Sequence, residues 1–125
     1  MEGFPPDAFA PCPASPNCVS TRADPKDKQH YLTPLRLSKA DKSVMAEIVA
    51  ILTEQPRTTI VTKTETYLHA EVRSRIFRFV DDVEVFVDQA NNLVHFRSAS
   101  RLGYGDFGVN RRRLEKLKGD LRNRL

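Results

Sequence analysis

The stretch Tyr67-Leu68-His69-Ala70-Glu71-Val72-Arg73 alternates polar and apolar side chains without a break. Successive residues of a strand point to opposite faces of a sheet, so this pattern describes a strand with one face buried and one face polar. On either side the period stays at two. Thr58-Thr59-Ile60-Val61-Thr62-Lys63 is β-branched, Asp82-Val83-Glu84-Val85-Phe86-Val87-Asp88 alternates again, and Leu93 to Ser100 follows an Asn91-Asn92 turn. Four strands are therefore expected in succession. No turn residues mark the reversal around Ile76-Phe77-Arg78-Phe79.

Helical periodicity brackets these strands. Ser38-Lys39-Ala40-Asp41 has the form of a capping box with Asp in place of Glu. It precedes Val44, Met45, Ile48, Ile51 and Leu52, spaced for one helical face, and the helix should stop before Pro56. Leu114, Leu117, Leu121 and Leu125 form the apolar stripe of a second helix starting near Asn110. The order α-β-β-β-β-α predicts an α+β fold, a four-stranded antiparallel sheet with two helices on one face. Residues 38–125 would form this domain. Residues 1–37, with seven of the eight prolines and both cysteines, read as an extended arm packed on it.

The alternation also sorts side chains by face. Leu68, Ala70, Val72, Val83, Val85, Val87, Val94 and Phe96 belong under the helices. Tyr67, His69, Glu71, Arg73, Asp82, Glu84, Phe86, His95, Arg97 and Arg101 belong on the opposite face. Such a face is either a set of solvated cross-strand ion pairs or, roofed by the arm, a place where arginines bind a carboxylate or phosphate bidentately.

The second reading gains from Arg97-Ser98-Ala99-Ser100-Arg101-Leu102-Gly103-Tyr104-Gly105-Asp106-Phe107-Gly108-Val109-Asn110-Arg111. Here side chains of both charges meet glycines at a strand, loop and helix start. The expected ligand site comprises Arg73, Asp82, Glu84, Arg97, Ser98, Ser100, Arg101, Tyr104, Asp106, Asn110 and Arg111. Arg97, Arg101 and Arg111 would hold the anion and Asp82, Glu84 and Asp106 would orient them. Three arginines in the first turn of the second helix oppose its dipole, so either a bound anion or Asp106 should compensate. The competing reading is a non-catalytic protein-interaction or structural module in which the same charges are a folding ion-pair network.

Other chemistry is weakly signalled. Cys12, Cys18 and His30 match no common zinc spacing, so neither a metal nor a cofactor is expected. The two cysteines suit a short disulfide loop in an oxidising compartment and free thiols in the cytoplasm. His69 or His95 beside Asp82 or Glu84 has the composition of a general base and its orienter, although surface histidines are common. The three glycines follow no dinucleotide or P-loop spacing.

The chain of 125 residues carries a net charge of +4, with eight Lys and Arg against three Asp and Glu after residue 100. That basic end would attract nucleic acid, an anionic membrane surface or an acidic partner, or simply solvate a helix face. Two aromatics, Tyr104 and Phe107, are too few for a base-stacking platform, and nucleic acid is not expected as a partner. An anionic small molecule or acidic peptide is. No apolar run spans a bilayer, and the first residues lack a basic and an apolar region, so a cytoplasmic location is expected.

Three segments together resemble the bacterial and plastid family known as domain of unknown function 1499. They are Cys12-Pro13-Ala14-Ser15-Pro16-Asn17-Cys18-Val19-Ser20, Phe79-Val80-Asp81-Asp82-Val83-Glu84 and the Arg97 to Arg111 run. Thr21 stands where the family's arm often continues with a second serine. The resemblance implies membership over nearly the whole chain and links the arm to the arginine-rich junction. It implies no activity and supplies no catalytic residues.

Overall fold

The computed structural model describes residues 9–38, 43–76, 79–102 and 108–125. The four expected strands are present as β3 (Thr58–Lys63), β4 (Tyr67–Arg73), β5 (Val80–Asp88) and β6 (Leu93–Ser100), each antiparallel to the next. They are preceded by β1 (Cys18–Ser20), β2 (Leu35–Arg36) and helix α1 (Val44–Thr53), and followed by helix α2 (Val109–Arg124). The order is thus β-β-α-β-β-β-β-α, an α+β fold with a six-stranded sheet.

This corrects the four-stranded expectation. The proline-rich segment does not merely lie on the domain: β1 pairs with Arg97–Ala99 and β2 with Leu93–Val94, both on the outer edge of β6. A bare edge offers unpaired backbone groups to other chains, and here two short strands cover it. Strands of three and two residues carry too little alternation to be read among prolines. Cys12 and Cys18 form a disulfide at the entrance to β1, in place of the free thiols that a cytoplasmic location would favour.

Periodicity explains the core. Val44, Met45, Ile48, Ile51 and Leu52 are the buried face of α1, and Leu114, Leu117 and Leu121 that of α2. Both stripes close on Leu68, Ala70, Val83, Val85, Val94 and Phe96, all fully buried. α1 ends at Thr53, ahead of Pro56 as expected. Its capping residue is Ser43; of the capping box proposed at Ser38 to Asp41, residues 39–41 lie outside the described residues. Leu125 caps the end of α2 and is exposed rather than part of the apolar stripe.

Two reversals show why particular residues are used. Asn92 takes a left-handed backbone (φ 54°) in the β5–β6 turn, where Asp88 accepts hydrogen bonds from the Asn91 backbone and side chain. Gly108 precedes α2 with φ 77°, and a Cβ there would lie 3.0 Å from Arg112 Nη1. Between β4 and β5, Ser74 and Phe79 exchange hydrogen bonds that close a reversal lacking turn residues.

Candidate functional site

The expected site residues do not form one site. Because adjacent strand residues face opposite ways, Arg97 and Ser98 lie on different sides of the sheet, as do Asp81 and Asp82. The structure therefore sorts them into a charged cluster on the outer face, a buried polar cluster under α2 and a separate anchor at Arg111.

On the outer face, β4, β5 and β6 bring Glu71, Asp82, Glu84 and Arg97 into register. Arg101, just past β6, donates from Nε and Nη2 to the two oxygens of Asp82 at 2.7 and 2.8 Å, and from Nη2 to Glu71 at 2.6 Å. Arg73 reaches the other Glu71 oxygen at 3.3 Å. His69 donates from Nε2 to Asp82 at 2.7 Å. Arg101 first, then His69, holds the Asp82 carboxyl below its usual range, and Asp82 first, then Glu71, raises the Arg101 pKa. His69, Glu71 and Asp82 have ligand atoms within 4.8 Å of one another. A guanidinium already occupies the oxygens with which such a set would hold a metal ion.

The other half of this face lies under the arm. Arg97 is buried between Glu84, 3.5 Å away, and the Pro11 carbonyl, which accepts from its Nη2 at 3.4 Å. Tyr67 donates its hydroxyl proton to Glu84 at 2.5 Å, and burial together with that carboxylate pushes its pKa up. Phe86 and His95 are buried here too. Burial and then Arg22 push the His95 pKa down, leaving a neutral ring with Nδ1 2.9 Å from the Thr21 hydroxyl. Neither histidine has the exposed, unengaged ring of a general base.

Under α2, Ser98 and Asn110 are fully buried. Ser98 donates to Asn110 Oδ1 at 2.5 Å, and that oxygen also accepts from Arg113 at 2.9 Å. The Asn110 amide nitrogen donates to the Asn17 carbonyl and to the Ser100 hydroxyl. One side chain therefore ties α2, β6 and the segment leading into β1 together, with all four of its hydrogen-bonding positions used. Arg113 also pairs with Asp81 at 2.9 Å.

Two of the three arginines of the first turn of α2, Arg111 and Arg113, thus meet protein groups. Arg113 meets Asp81, and Arg111 donates to the Lys28 and Gln29 carbonyls at 3.1 and 3.2 Å. Asp106 and Tyr104, assigned a part in the expected site, lie outside the described residues. Asp81, Arg113 and Asn17 were missed by the sequence reading. The signal for Asp81 was available, since two consecutive acids in a strand cannot both face outward.

Sequence reasoning also missed a cavity of about 350 Å³ between the helices and the sheet. Its floor is apolar: Ile51 and Leu52 from α1, Val72 and Val83 from the sheet, and Leu117 from α2. Arg57, Arg112 and Lys116 stand among its lining residues, all three exposed. Arg57 holds a left-handed backbone (φ 55°) there, its Nε donating to the Arg73 carbonyl.

Residues 8–121 match the family described as Protein of unknown function (DUF1499). The chain belongs to the DUF1499 family. Neither a curated protein nor a solved structure shows a significant match to it. The matched span takes in the whole sheet with β1 and β2, helix α1, and α2 as far as Leu121. No helix among the described residues is long and apolar enough to cross a membrane.

Proposed function

We propose that this DUF1499 domain binds an anionic ligand with an apolar portion, such as a fatty carboxylate, in the cavity between α1, α2 and the sheet. The observation that carries the reading is the pairing of an apolar floor with cations at the rim, Arg57 and Arg112, beside a Lys116 that pairs with Asp120 at 2.7 Å. A volume of about 350 Å³ is within the range of small-molecule sites, in which apolar walls supply affinity and a few polar groups fix orientation. Arginine at the rim suits a carboxylate or phosphate, which it can engage with two parallel hydrogen bonds.

The outer face supports the folding-network reading instead. Arg97 and Arg101 already pair with Glu84, Asp82 and Glu71, so an anion would have to displace carboxylates to reach them. The cavity on the helical side of the sheet adds what the outer face lacks, an apolar floor beside its cations. The Cys12–Cys18 disulfide favours an oxidising compartment over the cytoplasm as the place where this domain works.

The test uses the fluorescent anionic amphiphile anilinonaphthalene sulfonate as the probe. The folded protein should enhance its emission saturably, decanoate should displace it, and decanol should compete much less well. The variant carrying Arg57→Gln and Arg112→Gln should lose most of the preference for decanoate. Equal displacement by decanoate and decanol in the parent protein would remove the anionic component of the proposal.

A further inference from the structure

A second surface joins exposed apolar side chains to three arginines, two of which also belong to the outer-face network. The β4–β5 reversal and the end of β6 lie at the same edge of the sheet, because Arg101 donates its backbone N–H to the Val80 carbonyl and Ser74 closes on Phe79. At this edge Ile76 is 78% exposed, Leu102 65% and Phe79 48%. These are three of the six large hydrophobic side chains that the described residues leave in solvent. Scattered singly they would need no explanation, but gathered at one end of a domain they form a patch.

Arginines accompany them. Arg75 adjoins Ile76, Arg101 adjoins Leu102, and Arg73 ends β4, all three exposed. Arg73 and Arg101 share their charge with Glu71 and, for Arg101, Asp82. Arg75 adds a cation with no carboxylate partner among the described residues. Apolar side chains projecting from chain reversals, with arginines beside them, suit a soft anionic surface. The apolar tips enter the acyl boundary while the guanidinium groups stay at the level of the headgroups.

We propose that the sheet end formed by Ile76, Phe79 and Leu102, with Arg73, Arg75 and Arg101, docks this domain onto an anionic lipid bilayer. This goes beyond the cavity reading and does not rest on it, since none of these six residues lines the cavity.

Sedimentation of the full chain with vesicles tests this. The protein should pellet with phosphatidylcholine vesicles containing phosphatidylglycerol and stay in the supernatant with phosphatidylcholine alone, and added salt should weaken the binding. Ile76→Ser with Leu102→Ser should weaken binding to the anionic vesicles by more than about tenfold, from the apolar area withdrawn. Arg75→Gln should weaken it by about fivefold, the equivalent of one cation near a charged membrane surface. Both variants change exposed side chains, and an unchanged circular dichroism spectrum should accompany the loss. Failure of the parent protein to bind anionic vesicles would overturn the proposal. So would serine variants that pellet as well as the parent. A parent protein that dimerises through this patch, with serine variants that do not, would also overturn it, by assigning the surface to a second copy of the chain.

Discussion

Asp81 and Asp82 are neighbours in β5, yet they serve opposite faces of the sheet, each through its own arginine. Asp81 meets Arg113 of α2 at 2.9 Å, and Asp82 meets Arg101 at 2.7 Å. The Arg113 side chain is 21% exposed and the Arg101 side chain 46%. The same pair type therefore sits in two dielectric settings, and the better buried one should matter more for folding.

Arg113→Gln is expected to lower the free energy of unfolding by roughly 1.5 to 3 kcal/mol, since it strips charge-assisted bonds from Asp81 and Asn110. Arg101→Gln should cost less, because water can replace the guanidinium at Asp82 and Glu71. Urea denaturation of both variants gives the order. A larger loss for Arg101→Gln would mean that the outer network carries more of the fold than its exposure implies.

Asn110→Ala removes a side chain with four hydrogen bonds from a fully buried position. It leaves Ser98 and the Asn17 carbonyl with fewer partners, at an expected cost of about 1 to 3 kcal/mol. Hydrogen exchange should show faster opening at the start of α2 and at β1 together. Faster exchange at α2 alone would contradict the view that Asn110 joins the two.

His30 gives the arm a pH dependence. Its Nε2 faces the Ser15 carbonyl at 2.9 Å and its Nδ1 the Asp27 carboxylate at 2.6 Å. The Gln29 amide nitrogen also lies 3.1 Å from Nε2. The Ser15 carbonyl first and Asp27 after it raise the His30 pKa above 6.5, against burial and the nearby Arg111 charge, while His30 lowers that of Asp27 below 3.8. A raised histidine pKa contributes stability that is fully present below the unfolded value and lost as pH rises through the folded value. A lowered carboxyl pKa contributes stability present above its unfolded value and lost as pH falls through the folded one. The 12–30 region should thus hold tightest between pH 3.8 and 6.5 and loosen as pH rises further. Proteolysis of this region across that range checks the sign, and His30→Gln should flatten the alkaline limb.

Reduction of the Cys12–Cys18 disulfide should destabilise the domain by about 2 kcal/mol, the loop-closure value for so short a ring. Thermal unfolding with and without reductant measures it. An unchanged melting temperature would mean that β1 and its contacts hold the arm unaided.

Much of this fold was legible because its strands and helices obey strict periods. Leu68, Ala70, Val83 and Phe96 were assigned to the buried face by alternation alone, and α1 stopped where Pro56 required. The arm was less legible. Cys18–Ser20 and Leu35–Arg36 become strands only because β6 offers an edge, a tertiary effect that short segments do not record. The site was half legible. Arg97 and Arg101 were placed on the charged face correctly, but Ser98, Ser100 and Asn110 were grouped with them although alternation sends Ser98 and Ser100 to the other side. The cavity had no linear signature, since Leu52, Val72, Val83 and Leu117 read simply as core.

The most direct measurement is a methyl-resolved NMR titration of the folded protein with decanoate. The account predicts saturable shifts at Leu52, Val72, Val83 and Leu117, the methyl groups that floor the cavity, with little change at Val19 beside β6. Absence of saturable shifts at those four residues, or shifts centred on the Arg97 and Arg101 face, would contradict it.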